Sequence, residues 1–236
     1  MDRRFAGETD RDLTPILGEP PVRETVSAAA YRRLREAILR GEVPMGTRIN
    51  ELELAEAWHV SRTPIRDALR RLEAEGVVEA VPGRGVVVPR LQLRDADELY
   101  ELREILESRA ARRASERSTE DLGRTLNILI KAFGTALKQG DLARMTAIDV
   151  EWHAAVAAAS GSRRLERAID TVHAQVHPIR ALVFRVRGRA ARSLREMAKV
   201  TAAIRARDAG RAEAAMREHL TSVRAELAEV FQALEA

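Results

Sequence analysis

The 236-residue chain has no cysteine. That excludes disulfides, thiolate metal centres and cysteine nucleophiles, and says little about redox compartment. Aromatic residues make up only 3% of the chain, so a core has to come from Leu, Val, Ile and Ala, which favours helices. No apolar run approaches the about 18 residues that a membrane span needs. The first 22 residues are charged and lack the apolar centre of a secretory signal, so a cytoplasmic location is expected. Lysine is also scarce: of 40 basic residues only Lys131, Lys138 and Lys199 are not arginine. An Arg- and Ala-rich composition follows genome base bias as readily as function. The formal charge of +4 is therefore only a weak pointer to a polyanionic partner.

What is present suits a globular protein. Apolar residues make up 45% and charged residues 32%, and the length allows one large or two modest domains. Residues 1–22, with Pro15, Pro20 and Pro21, read as a loosely ordered tail. The periodicity predicts a helix over 25–40 with Ala30, Leu34, Ala37 and Ile38 on one face, stopped by Gly41 and Pro44. Short helices are expected over 51–58 and 64–75. The period then changes: Val77-Val78 and Val86-Val87-Val88 flank Pro82-Gly83-Arg84-Gly85, which reads as a two-stranded hairpin with a glycine-rich tip. From Asp95 on, every segment has helical spacing, over 95–116, 119–138, 141–159, 162–187, 190–207 and 209–234. The expected fold is mainly α, with a small N-terminal winged helix-turn-helix (three helices plus a two-stranded wing) at 23–90. An all-α bundle of six or seven helices is expected at 95–234.

The third helix carries the chemistry of the N-terminal module. Ile65, Ala68, Leu69 and Leu72 share an apolar face, while Arg62, Arg66 and Arg70 follow one another at i+4 on another face. Ser61 or Thr63 can cap this helix, and Pro64 suits its first turn. Arginines near the start of such a helix can grip guanine edges or clamp phosphates in the major groove. A plain solvated face is the alternative for Arg62 and Arg66 taken alone. Arg84, between two glycines at the hairpin tip, tilts the balance, because the backbone there can approach a narrow groove while one cation reaches in.

The stretch Tyr31-Arg-Arg-Leu-Arg-Glu-Ala-Ile-Leu-Arg-Gly-Glu resembles the DNA-binding domain of the GntR family of bacterial regulators. So do Pro44-Met-Gly-Thr-Arg-Ile-Asn-Glu, Leu54-Ala-Glu and Val60-Ser-Arg-Thr-Pro-Ile-Arg-Asp-Ala-Leu-Arg-Arg-Leu-Glu-Ala-Glu-Gly. The resemblance implies DNA contacts by Arg62 and Arg66, a minor-groove position for Arg84, and binding as a homodimer to an inverted-repeat operator. Arg35, Arg62, Thr63, Arg66, Arg70 and Arg84 are the candidate DNA contacts, and a repressor is the expected mode.

In the bundle, Asp149, Trp152, His153 and Val156 lie at i, i+3, i+4 and i+7, so an acid and an imidazole share a face that should be buried. A buried carboxylate needs a partner or a metal. His219 borders the stripe of Met216, Leu220, Val223 and Leu227, and His173 and Arg180 sit with Ile169, Val172, Val176 and Val183. An inward arginine suits an anion such as a carboxylate. The alternatives are an ordinary Asp149–His153 pair, a satisfied core His219 and an Arg180 partnered by a protein acid.

Glu101-Leu-Arg-Glu-Ile-Leu-Glu, Asp149-x-x-x-His153, Ala203-Ile204-Arg-Ala-Arg-Asp208 and Met216-x-x-His219-Leu220 resemble the FCD domain of the FadR subfamily. That resemblance implies an effector-binding and dimerisation domain in which one Asp and three His hold a divalent metal such as zinc or nickel. Asp149, His153 and His219 match three of the ligands. Met197, after Glu196, stands where the remaining histidine is usual, and a thioether is a poor ligand for such ions. Either a three-ligand metal site or direct binding of a small organic acid by Arg180 fits. Arg103, Asn127, His173, Arg180 and Met197 are the candidate effector contacts. An enzyme is not expected, since no general base or nucleophile accompanies the candidate ligands. A metal-dependent hydrolase fused to a DNA-binding module, and a bundle that is only a scaffold, remain the rival readings.

Overall fold

The computed structural model describes residues 25–39 and 42–235; the tail expected at 1–22 and the helix stop expected at Gly41 lie outside the described residues. Three helices come first: α1 (Val26–Leu39), α2 (Glu51–Ala57) and α3 (Arg62–Ala74). The sheet holds β1 (Arg48–Ile49), β2 (Glu79–Val81) and β3 (Gly85–Val87) in the order β1-β3-β2, all antiparallel. A two-stranded wing was expected. The third strand is β1, whose Arg48 faces Val87 and whose Ile49 faces Val86. Two residues are too short to register a period of two, so only the pairing reveals it.

Seven further helices follow among the described residues: α4 (Leu93–Glu116), α5 (Glu120–Gln139), α6 (Leu142–Ala159), α7 (Arg163–Val183), α8 (Arg189–Arg205), α9 (Ala209–Arg224) and α10 (Leu227–Glu235). Their starts are chemically marked. Thr119, Asp141, Ser162 and Asp208 each accept the backbone N–H three residues on, which satisfies a donor that the first helical turn leaves unpaired. Two boundaries differ from the periodicity. The helix expected to 187 stops at Val183, and the last helix breaks at Ala225-Glu226 into two. None of the described helices is long and apolar enough to cross a membrane.

The apolar faces collect into separate clusters. Ala30, Leu34 and Ile38 of α1 meet Ile65, Leu69 and Leu72 of α3 and Val77, Val78 and Val88. In the bundle, Phe133, Ile148, Trp152, Met197, Val200, Ile204, Met216 and Leu220 form the largest cluster, with Phe133 and Phe184 edge to face at 5.5 Å. One residue crosses between the two parts: Ala174 of α7 belongs to the cluster of α1 and α3.

The same helix makes polar contacts there. Gln175 Nε2 donates to the Glu75 carbonyl at 2.8 Å, and His177 lies near the Leu39 backbone at the end of α1. Burial pushes the His177 pKa down to about 4, with the Arg180 charge adding to it and the Leu39 backbone opposing it.

Two outcomes are expected from this packing. Leu72→Ala, which empties a fully buried site, costs about 2–5 kcal/mol in urea unfolding. Ile128→Ala, at a residue 65% exposed, stays within about 0.5 kcal/mol. His177 binds its proton in the unfolded chain near pH 6.5 and in the folded chain only near 4. The stability from keeping it neutral is therefore present above pH 6.5 and lost as the pH falls toward 4. In urea melts across that window, His177→Gln lowers the slope of stability with pH by up to about 1.4 kcal/mol per unit; an unchanged slope contradicts a neutral, buried His177.

Candidate functional site

The bundle buries charge. On α4, Tyr100, Arg103 and Glu107 occupy i, i+3 and i+7 of the inward face, and all three are buried. Opposite them, α6 supplies Asp149, Trp152 and His153, α7 supplies His173 and Arg180, and α9 supplies His219. Arg103 Nε donates to Glu107 Oε1 at 2.7 Å, and Arg180 Nη1 donates to Asp149 Oδ2 at 2.5 Å. The two cations and two carboxylates cancel, as burial requires. Tyr100, Arg103, Asp149, His153, Arg180 and His219 line a cavity of ≈ 10 Å³, which has room for an ion or about one water.

The histidines are held in one orientation. His153 Nδ1 lies 2.5 Å from Glu107 Oε2, and His219 Nδ1 lies 2.8 Å from Glu196 Oε2. With both carboxylates ionised, each Nδ1–H donates to its carboxylate, and each Nε2 is the ring nitrogen left for another contact. The two rings stack at 5.4 Å, with the edge of Trp152 against both. His153 Nε2 is 3.5 Å from Asp149 Oδ1 and 3.4 Å from Arg103 Nη2. One ligand atom each from Asp149, His153 and His219 lies within 4.8 Å of the others. Histidines braced by carboxylates through the far ring nitrogen are the arrangement that metal-binding imidazoles need, so this donor set fits a divalent ion. A second grouping, Glu107, His153 and His173, meets the same distance limit. There, however, the Glu107 oxygens are taken by His153, His173 and Arg103.

The electrostatics follow from burial and pairing. Burial pushes Glu107 up, but Arg103, His173 and His153 more than reverse it and hold it well below the carboxylate range. Burial likewise raises Asp149, and His153 and Arg180 outweigh it, so it stays ionised. Burial lowers the His173 pKa to about 3 and also lowers His219, against the pull of Glu196. Arg180 is lowered by burial and by the like charge of Arg103. Its Nε and Nη2 are buried and have no hydrogen-bond partner.

Most of the expected effector contacts meet here, and two do not. Arg103, His173 and Arg180 join the Asp149 cluster. Met197 is fully buried in the apolar cluster beside Val200 and Ile204. Asn127 lines a different cavity with Ser118, Thr119, Arg205 and Arg207. Of the alternatives for Arg180, a protein acid is indeed its partner, at one of its three nitrogens. Glu107 and Glu196 were missed as site residues. The signal for Glu107 was a charge on the Tyr100–Arg103 stripe. Arg189, also missed, is buried and bonds Ser193, Ser222 and Glu196.

In the N-terminal part, Arg62, Thr63, Arg66 and Arg70 are exposed on α3, with Arg62 3.5 Å from Glu51. Ser61 takes the cap position with extended backbone and makes no side-chain cap bond. Arg84 is exposed at the wing tip between Gly83 and Gly85, whose φ angles of +75° and +79° suit residues without a Cβ. Arg48 of β1 lies against Gly85 and adds a cation that was not anticipated at the wing. Arg35 is turned elsewhere: its Nε lies 3.3 Å from Glu75 Oε2.

Comparisons with known proteins agree with this division of the chain. Residues 26–88 match the family of bacterial regulatory proteins called gntR, and residues 98–222 match the FCD domain. The HTH-type transcriptional regulator LutR of Bacillus subtilis is 30% identical over 217 residues, covering 83% of this chain and 98% of LutR. The HTH-type transcriptional repressor RspR of Escherichia coli is 24% identical over 209 residues, covering 89% and 92%. The structure of E. coli McbR/YncC shares the fold, with a TM-score of 0.75 at 21% identity over 90% of this chain and all of that one. The chain belongs to the GntR family of bacterial regulatory proteins, as a transcriptional regulator with an N-terminal GntR DNA-binding domain and a C-terminal FCD domain.

Proposed function

We propose that this regulator is a repressor controlled by a small organic acid bound in the Asp149 cavity. In this reading a DNA-binding unit spans 23–90 and a sensing and dimerisation unit spans 95–234. The observation that carries the sensing role is Arg180, a buried guanidinium with two nitrogens unpartnered at the edge of a charge-balanced cavity. Unmade hydrogen bonds of a buried cation are costly, and a carboxylate answers both of them at once. The cavity holds only an ion or a water, so an organic acid enters as the side chains around it re-pack. Effector binding thereby selects between two arrangements.

Asp149, His153 and His219 would hold a divalent metal such as zinc or nickel, with Glu107 and Glu196 bracing the two imidazoles. Such an ion supplies a Lewis-acidic position for an effector oxygen. It also adds two positive charges to a neutral cluster, which strengthens the case for an anionic ligand. The repressor mode is supported by the likeness to RspR. A homodimer on an inverted-repeat operator is supported by Leu102 and Ile105, which are 46% and 60% exposed one turn apart on α4. Arg62, Thr63, Arg66 and Arg70 would enter the major groove, with Arg84 and Arg48 at the minor groove.

Two measurements test these assignments. In operator binding at fixed salt, Arg66→Ala weakens affinity by about 1–3 kcal/mol and relaxes sequence preference; unchanged affinity and preference remove its role. In calorimetric zinc titration, Glu196→Gln lowers affinity by about 10–100-fold, because His219 loses its brace. An absence of zinc binding by the wild-type chain, together with no metal in elemental analysis, excludes the metal.

A further inference from the structure

The helix α7 (Arg163–Val183) touches both the bundle and the N-terminal part. With 100° per residue, Ile169, His173, Val176, Arg180 and Val183 fall on one face, and Asp170, Thr171, Ala174 and Gln175 fall on the other. The first face closes the charged cavity through the Arg180–Asp149 and His173–Glu107 bonds. The second rests on the DNA-binding part. There Ala174 enters the apolar cluster of α1 and α3, and Gln175 holds the Glu75 carbonyl.

Glu75 and Gly76 form the turn by which the chain leaves α3 for the wing strand β2. Gly76 has φ +68°, and a Cβ there would come within 2.6 Å of Gln175 Nε2. Gln175 is therefore seated directly on the turn, and any side chain at residue 76 would push it off. The Glu75 carboxylate is meanwhile tied to α1 by the Tyr31 hydroxyl at 2.6 Å and by Arg35 at 3.3 Å. One turn thus joins the recognition helix, the wing, α1 and α7. Within α7, Pro178 has no N–H to give the Ala174 carbonyl, so the helix lacks that one rung.

We propose that α7 relays occupancy of the Asp149–Arg180 cavity to the recognition helix and wing through the seating of Gln175 on the Glu75–Gly76 turn. The relay rests on the sensing site proposed above for its trigger. Arg180 and Val183 of α7 are among the residues that line the cavity, so re-packing of its walls around a ligand moves α7. That movement reaches Gln175 along the same helix.

Amide hydrogen exchange of the full-length chain tests this. Asp149→Asn, which perturbs the cavity without a ligand, raises exchange at residues 73–78 by about fivefold or more. Gln175→Ala raises exchange in the same segment by itself, and adding Asp149→Asn then raises it no further. If Asp149→Asn unfolds the chain, Arg180→Lys is read in the same way. Altered exchange around residue 149 with unchanged exchange at 73–78 overturns the relay, as does a full Asp149→Asn effect that survives Gln175→Ala. Zinc alone is the ligand probe. Binding heat without any change at 73–78 also overturns the relay. Absence of binding heat counts against the metal reading of the cavity, and the Asp149→Asn result then decides the relay independently.

Discussion

The burial of Arg180 against Asp149 sets the terms for the rest of the bundle. Two ions removed from water are tolerated only when matched and hydrogen-bonded. This pair lies beside a second one, Arg103 with Glu107, so the four charges cancel within the cavity. Burial disfavours the charged forms of His173 and His219 beside them. Tyr100, Trp152 and Val183 surround the cluster with apolar walls, which strengthens each electrostatic contact inside. Arg180 alone of the four is incompletely paired, with Nε and Nη2 buried and unpartnered.

The helices that build the cavity also build the protein's long-range geometry. α7 has no solvent-only face over the turn from His173 to His177: one side is bundle and the other is the DNA-binding part. A rigid element with contacts at both ends is a means by which a local rearrangement becomes a change in domain placement.

Much of this was legible in the sequence. The face separation of Ile65, Leu69 and Leu72 from Arg62, Arg66 and Arg70 fixed the character of α3, since a 13-residue helix gives enough turns for the period to show. Asp149 and His153 announced a site because polar residues on a buried face need an account. β1 did not show, because two residues have no period. Glu107 and Glu196 did not show as site residues because their roles depend on which helix lies opposite, and one sequence does not give helix packing. Gln175 and Ala174 were hidden for the same reason: a helix buried on two sides has no clean stripe, and its second partner is more than a hundred residues away in the chain. Met197 was named from its motif position, and the packing of α8 buries it in the apolar cluster, while Asn127 of α5 lines a different cavity.

The central claim is that the Asp149 cavity senses an anion and that DNA binding responds. The most direct test is operator affinity of the full-length chain, measured across a broad panel of small carboxylates, for wild type and for Arg180→Lys. The account predicts that at least one acid changes wild-type affinity by about fivefold or more, and that Arg180→Lys blunts the response without abolishing DNA binding. If no acid alters wild-type affinity, or if the response is intact in Arg180→Lys, the account is contradicted.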